Sequence, residues 1–305
     1  LARQNENFSS EHQVDIDFIR AGALHRSGDY DAAYVDLWGC VHNGITAFPE
    51  AVAALQAFRA QGGKVILVTN APRGRSHVER QIAKMGVPSD AWDAIATSGD
   101  SARAAMLRGA VGEKVYFIGQ PHDQDFFAPL ELIENPVTIS QVPLEQAEGM
   151  VCCGPFDPLA DPKEMRAQFL QAKTRGLKLL CANPDIVVDR GETREWCAGA
   201  LAKLYTEMGG ESLYFGKPHP PIYDLARRRL QALGKDIPDS RILCVGDGIL
   251  TDIDGAMGED LDSLFITGGL AARETQTADQ PDPKALMAYL TKEMRQPAYS
   301  IGKLR

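Results

Sequence analysis

The chain has 305 residues, of which 44% are hydrophobic and 24% are charged. These proportions are typical of a folded globular protein, so they exclude a disordered, collagen-like or coiled-coil chain. Acidic residues outnumber basic residues 41 to 32, which gives a net charge of −9. A protein that binds a phosphate backbone usually carries a basic excess or a basic stripe. We therefore expect neither a nucleic acid nor an anionic membrane surface as a partner.

The six cysteines lie mostly in apolar runs, and no two of them form a CxxC pair. This pattern predicts buried, reduced thiols and argues against a zinc site. No segment approaches the roughly 18 unbroken apolar residues of a membrane span. The polar stretch at residues 1–13 lacks the apolar core of a secretory signal. We expect a cytoplasmic protein.

Short apolar runs rich in β-branched residues alternate with longer amphipathic stretches along the chain. The runs predict strands at residues 33–37, 65–69, 94–97, 115–119, 150–153, 177–182, 213–215, 242–246 and 263–267. The amphipathic stretches predict helices at residues 49–61, 73–85, 163–175 and 221–233, and a last helix follows the polar loop 275–283. This alternation predicts an α/β fold in which helices cover both faces of a parallel sheet.

Polar residues stand at the ends of the first two predicted strands, where a parallel sheet binds its ligands. Asp36 ends the first apolar run, and a carboxylate there can act as a nucleophile or as a metal ligand. Thr69 and Asn70 end the second run, where a hydroxyl and an amide can bind phosphate oxygens beside the N–H groups of the next helix. Taken singly, a turn aspartate and a helix N-cap explain these residues at least as well.

Two later segments add a cation and a group of acids. Lys217 lies in a Gly-Lys-Pro segment after a short apolar run. Asp247 stands between two glycines after a buried run, and Asp252 and Asp254 follow within the next turn. Carboxylates gathered at one strand end repel one another unless a cation compensates, and Mg²⁺ prefers such hard oxygen ligands. The segment therefore predicts a magnesium site, with a solvated acidic loop as the alternative.

An Asp, a Thr, a Lys and an acidic pair thus follow different strands in a fixed order. This order resembles the four motifs of the haloacid dehalogenase (HAD) superfamily over residues 34–269. The long insertion before the Lys motif, with Asn183-Pro184-Asp185 near its end, resembles the class IIA (C2-capped) branch, which includes sugar-phosphate and nitrophenyl-phosphate phosphatases. The resemblance implies a Rossmann-like core of residues 14–106 and 185–305, interrupted by an α/β C2-type cap at residues 107–184.

By this resemblance, Asp36 is the nucleophile and forms an aspartyl-phosphate that water hydrolyses. Thr69 binds the transferring phosphoryl group, and Lys217 offsets the charges of the nucleophile and the phosphate. The implied ligands of Mg²⁺ are Asp36, Asp247, Asp252 and the backbone carbonyl of Trp38. Together these roles predict a Mg²⁺-dependent phosphatase of small phosphorylated metabolites, such as sugar phosphates.

One position departs from the family pattern. Phosphatases of the family usually carry a second Asp two residues after the nucleophile, which protonates the leaving group and later activates water, and this chain has Trp38 there. Three interpretations remain open: His42 replaces that acid, the leaving group needs little protonation, or the protein binds a phosphorylated ligand with little turnover. Hydrolysis of a non-phosphate bond is a further alternative, although the retained Asp247 and Asp252 favour phosphoryl chemistry.

The resemblance also implies that the cap selects the substrate. Phe156 and Asp157 lie in a Pro-Phe-Asp-Pro turn after a predicted cap strand and are candidate substrate contacts. The alternative is that this turn only reverses the chain. Asn70 and Asn183 are further candidate contacts. Caps of this branch often take part in dimer contacts, so a homodimer is an expectation from the family alone.

Overall fold

The computed structural model describes residues 29–128, 133, 135–190, 193–234 and 236–305. The predicted core residues 14–28 lie outside these ranges. In chain order, the described elements are β1 (Ala32–Val35), α1 (Pro49–Ala60), β2 (Lys64–Thr69), α2 (Arg75–Lys84), β3 (Ala94–Thr97), α3 (Ser98–Leu107), β4 (Lys114–Ile118), β5 (Ser140–Gln141), β6 (Gly149–Cys152), α4 (Arg166–Thr174), β7 (Lys178–Cys181), β8 (Val187–Arg190), β9 (Thr193–Trp196), α5 (Ala198–Glu207), β10 (Glu211–Tyr214), α6 (Pro220–Gln231), β11 (Ile242–Gly246), α7 (Asp254–Gly258), β12 (Asp262–Ile266), α8 (Pro283–Glu293) and β13 (Tyr299–Ile301).

A six-stranded parallel sheet, in the order β13-β12-β11-β1-β2-β3, forms the first layer of the fold. Its central strands are apolar along their whole length because both faces are covered. Ala33 and Val35 of β1 point to a core shared with α1 and α2, whereas Ala32 and Tyr34 point to a core shared with α6. This alternation is the two-residue period of a strand, here with both sides buried.

A second parallel sheet has the order β10-β7-β6-β4-β5. Helices α4 and α5 pack on one face through Phe169 and Tyr205, and α3 packs on the other through Met106. Strands β8 and β9 form a separate antiparallel pair. Because β10 pairs with β7, the second sheet extends past residue 184, where the predicted cap ends. The division into domains remains a prediction; β10 joins the second sheet by strand pairing, and α5 packs on that sheet.

All nine predicted strands overlap strands of the structure, and all the predicted helices are present with ends that differ by a few residues. The prediction of an α/β fold with a parallel sheet is confirmed. Strands β5, β8, β9 and β13 were not predicted, because each is short and either polar or at a sheet edge. Among the described residues, no helix has the length and apolar character needed to cross a bilayer.

Candidate active site

The carboxyl ends of three central strands bring predicted site residues together. Strand β1 lies between β2 and β11, with Val35 in register with both Leu67 and Val245. Asp36 continues β1 and donates its backbone N–H to the Val245 carbonyl (2.8 Å). Thr69 ends β2 and Asp247 follows β11, and all three side chains are buried. The sheet therefore places the predicted nucleophile between the predicted hydroxyl and one predicted metal ligand.

Lys217 links two of the acids at this edge. Its Nζ donates to Oδ1 of Asp36 and to Oδ1 of Asp252, each at 2.6 Å, and the residue is only 4% exposed. Burial by itself opposes the charge of Lys217, but the carboxylates of Asp252 and Asp36 outweigh burial and raise its pKa. Lys217 therefore stays charged and ties the loop that follows β1 to the loop that follows β11, which carries Asp247 and Asp252 (the acidic loop).

The two acids that follow β11 are held by backbone N–H groups. Asp252 lies in a single π-helical turn, Ile249–Ile253, and its Oδ2 accepts from the Gly248 N–H (3.0 Å). Oδ2 of Asp247 accepts from the Leu270 N–H (2.9 Å). Asp254, from the same sequence segment, instead pairs with Arg295 outside this group. The structure thus separates two acids that face the sheet edge from one that does not.

A glycine makes room for Asp247. Gly39 has φ +77°, and a Cβ on it would lie 2.1 Å from Asp247 Oδ2. A side chain there would meet both an unfavourable backbone conformation and the carboxylate. Gly39 therefore allows the loop that follows β1 to turn directly over the acidic loop.

The three buried acids carry more negative charge than Lys217 alone offsets. Burial raises the pKa of Asp36 to about 7, although Lys217 opposes the shift. Burial, Asp36 and Asp252 together raise the pKa of Asp247 well above its usual range. Carboxylate oxygens of Asp36 and Asp247 lie within 4.8 Å of each other, which is close enough for both to reach one ion after small adjustments. This donor set fits a hard divalent cation such as Mg²⁺.

The side-chain amide of Asn70 makes three hydrogen bonds within the protein. Its Oδ1 accepts from the Lys217 N–H (2.7 Å), and its Nδ2 donates to the Lys217 carbonyl (3.1 Å) and to Oδ1 of Asp185 (2.8 Å). Both amide hydrogens are therefore used. In this structure Asn70 holds the Lys217 backbone, which differs from its predicted role as a substrate contact.

Asp185 was not among the predicted site residues. It follows β7 of the second sheet, and burial raises the pKa of its carboxyl. The Asn183-Pro184-Asp185 segment was the available signal, because it marks the end of the predicted insertion. Its bond to Asn70 shows that the carboxyl-end loops of the two sheets meet at the candidate site.

His42 and Trp38 build the loop that follows Asp36. The His42 ring is 3% exposed, its Nδ1 accepts from the Gly44 N–H (3.0 Å), and it meets the Trp38 ring edge-on at 5.5 Å between centroids. Burial lowers the pKa of His42 to about 4. The imidazole is therefore neutral near pH 7 and has a structural role in the loop. These properties do not suit the predicted role of His42 as an acid.

The candidate residues of the predicted cap form local turns. Oδ1 of Asp157 accepts from the Leu159 N–H (2.9 Å), which is the chain-reversing role left open as its alternative. Oδ1 of Asn183 accepts from the Asp185 N–H (3.0 Å). Phe156 is 49% exposed. Phe156 follows β6 and Asn183 follows β7, and these strands are parallel neighbours, so both residues lie at the edge that carries Asp185.

The chain was compared with family models and with known proteins. A model described as haloacid dehalogenase-like hydrolase matches residues 33–132, and one described as HAD-hydrolase-like matches residues 214–292. The solved structure of a haloacid dehalogenase-like family hydrolase from Brucella suis 1330 is 38% identical. It covers 92% of this chain and 97% of its own, with a TM-score of 0.79.

Two curated relatives carry activity names. The chain is 25% identical over 264 residues to the 5′-nucleotidase YutF of Bacillus subtilis, which covers 86% of this chain and 96% of that protein. It is 22% identical over 250 residues to an acid sugar phosphatase of Staphylococcus saprophyticus, which covers 81% and 90% of the two proteins. The two family models span the segments that hold Asp36, Thr69, Lys217, Asp247 and Asp252. The chain therefore belongs to the haloacid dehalogenase-like hydrolase family, as the motif order predicts.

Proposed function

We propose that this protein is a Mg²⁺-dependent phosphatase of small phosphorylated metabolites, with Asp36 as its nucleophile. The observation that carries the proposal is the buried Lys217, which bridges Asp36 and Asp252 at the mouth of the parallel sheet. Lys217 supplies part of the positive charge that an incoming phosphoryl dianion requires, and a divalent cation at the same carboxylates would supply the rest. The phosphatase names of two relatives support the same reaction class.

In the proposed reaction, a carboxylate oxygen of Asp36 attacks phosphorus and the bond to the leaving-group oxygen breaks. Water then hydrolyses the aspartyl-phosphate, which releases phosphate and restores the carboxylate. We assign the binding of the transferring group to Thr69, at the end of β2, whose Oγ1 also accepts from the Ala71 N–H (3.2 Å). Lys217 orients Asp36 and offsets the negative charge that gathers there.

The ligands that we assign to Mg²⁺ are the carboxylates of Asp36, Asp247 and Asp252 and the carbonyl of Trp38. When bound, the ion supplies positive charge to the phosphoryl oxygens and keeps the clustered carboxylates ionised. The raised pKa values of Asp36 and Asp247 support this assignment, since both reflect carboxylates buried without enough positive charge.

The proton for the leaving group is the unusual feature of this site. Trp38 occupies the usual acid position and His42 is neutral, so neither of these two side chains is a strong proton donor. We infer that the enzyme acts best on phosphates whose leaving group needs little protonation, such as phenolic or acyl phosphates. The same observation favours a second candidate function, in which the pocket binds a phosphorylated ligand with little turnover.

Substrate choice is assigned to loops of the second sheet. The segments that carry Phe156, Asp157 and Asn183 follow parallel strands whose carboxyl ends face the core, as the contact between Asp185 and Asn70 indicates. The exposed ring of Phe156 is available to pack on an apolar part of the substrate. A cytoplasmic location, which rests on the buried thiols, and a homodimer, which rests on the family, remain proposals.

The test is phosphate release from nitrophenyl phosphate and a panel of sugar phosphates, nucleotides and acyl phosphates with Mg²⁺. Asp36→Asn should abolish turnover, whereas Asp224→Asn, at an exposed position of α6, should retain it. If wild type and Asp36→Asn are equally inert, the phosphatase proposal fails. Tight binding of a sugar phosphate without phosphate release over hours would instead support the second candidate.

A further inference from the structure

Cys40 places a thiol against two acids of the candidate site. Its Sγ and one carboxylate oxygen each from Asp36 and Asp247 lie within 4.8 Å of one another, and all three residues are buried. Cys40 is 1% exposed, and its thiol makes no hydrogen bond within the part of the chain that the structure describes. An unpartnered buried donor beside two carboxylates is an arrangement that a metal ion can satisfy.

The loop around Cys40 is held in this position before any ligand binds. The Gly39 N–H donates to the His42 carbonyl (2.9 Å), and the N–H groups of Val41 and His42 both donate to the Leu37 carbonyl (2.8 and 3.1 Å). Cys40 therefore lies inside a closed turn, and its direction is set by the backbone. The close approach of Gly39 to Asp247 packs that turn against the acidic loop.

The charge around the thiol also favours a cation. Asp247 and Asp36 place two carboxylates beside the thiol, and Lys217 offsets only part of their charge through Asp36. The same carboxylates attract a divalent ion. Zn²⁺ and Cd²⁺ accept sulfur and oxygen ligands together, whereas Mg²⁺ prefers oxygen. In a tetrahedral zinc site, sulfur and oxygen ligands lie about 3.5 Å apart, and the three donor atoms here lie within 4.8 Å of one another.

We propose that Cys40, Asp36 and Asp247 form a mixed sulfur–oxygen site for a thiophilic divalent cation, which binds in competition with Mg²⁺ and blocks the nucleophile. On binding, the metal–sulfur bond replaces the S–H bond, and the thiol proton passes to solvent. The binding rests only on the geometry of the three side chains. The block of turnover rests on the proposed phosphatase function. Cys40 thus gives this chain a sensitivity to zinc or cadmium that an all-oxygen magnesium site lacks.

The test is a Cd²⁺ titration of the metal-free protein, followed by its sulfur-to-cadmium charge-transfer absorption in the ultraviolet. Wild type should show absorption that saturates at one equivalent, and excess Mg²⁺ should shift the titration to higher Cd²⁺. Cys40→Ala and Cys40→Ser should lose the absorption. Cys153→Ser, which removes a buried thiol of the second sheet, should keep it. Asp247→Asn should weaken Cd²⁺ binding at least tenfold. Thermal unfolding checks that each variant is folded.

A second measurement separates this proposal from the phosphatase proposal. If turnover is present, Zn²⁺ should inhibit wild type at concentrations at least tenfold lower than those that inhibit Cys40→Ala. If no substrate is turned over, the absorption experiment still tests the site. Absorption in wild type that persists in folded Cys40→Ala, or no absorption in wild type, overturns the inference.

Discussion

Replacing Asp185 by Ala should lower turnover through Asn70 and Lys217, although Asp185 lies on the second sheet. The Asp185 carboxylate accepts one Asn70 hydrogen at 2.8 Å, and the other hydrogen goes to the Lys217 carbonyl. A hydrogen bond to a charged group contributes about 1.5–3 kcal/mol. Asn70 keeps its two bonds to the Lys217 backbone in this variant, so we expect the stabilisation of the transition state to fall by only about 1–2 kcal/mol. This corresponds to a fall in kcat of about 5- to 30-fold.

The assay is steady-state kinetics on the best substrate of the panel, combined with a double-mutant cycle. Asn70→Ala should lose more activity than Asp185→Ala, because it removes both bonds to Lys217 as well. The double variant should then be no worse than Asn70→Ala alone, since Asp185 acts through that side chain. Asp185→Asn keeps an oxygen that can accept from Asn70 and should recover most of the activity.

The reasoning would be refuted by additive losses, in which the double variant shows the product of the two single effects. It would also be refuted if Asp185→Ala raised KM and left kcat unchanged, because that result indicates substrate binding by the cap. Equal thermal unfolding temperatures of Asp185→Ala and wild type would show that the loss of activity does not come from a loss of folded protein.

Three further outcomes follow from the structure. Gly39→Ala should raise the Mg²⁺ concentration for half-maximal activity and lower stability by about 1–3 kcal/mol, because it strains a positive φ and pushes on Asp247; a Mg²⁺ titration and thermal unfolding check this. Asp93→Ala should lower the free energy of unfolding by about 2–4 kcal/mol in urea at pH 7, because it removes the acceptor of Arg59 Nε and Nη2 and of the Val65 N–H. Burial raises the pKa of Asp93, but its hydrogen bonds with Arg59 and the Val65 N–H lower that pKa by more. The difference in unfolding free energy between the variant and wild type should therefore shrink below about pH 4, as Asp93 becomes protonated first in the unfolded and then in the folded protein. His42→Gln should change kcat by less than about threefold. The folded pKa of His42 is about 4 against an unfolded value near 6.5, so wild type should lose about 3 kcal/mol of stability between pH 6.5 and pH 4, and the variant should not. A large loss of kcat in His42→Gln would restore His42 as the proton donor.

Local pattern was enough to predict the elements that carry the site. Strands β1, β2 and β11 are short apolar runs, as expected of parallel strands that are buried on both faces. The polar residue that ends each run must then lie at the carboxyl edge of the sheet. Asp36, Thr69 and Asp247 were therefore placed near one another by position in the chain alone, and the order of the motifs indicated the family.

Contacts between distant segments were decided by the tertiary structure. Lys217 lies 181 residues after Asp36 and 147 residues after Asn70. No local pattern predicts that the Lys217 side chain contacts Asp36, or that the Asn70 side chain holds the Lys217 backbone. The same holds for β10, which joins the second sheet by pairing with β7. The buried thiol of Cys40 was predicted, but its place beside Asp247 depends on how two loops pack.

The sequence by itself determined that this acidic chain forms a parallel α/β sheet with phosphohydrolase motifs at its edge, because strand periodicity and motif order are properties of consecutive residues. Only the tertiary structure decided the charge and reach of each group: Lys217 pairs with two acids, His42 is neutral in its loop, and Asp185 contacts the core from the second sheet. Burial and distance, which set pKa values and hydrogen bonds, arise only when segments far apart in the chain are brought together.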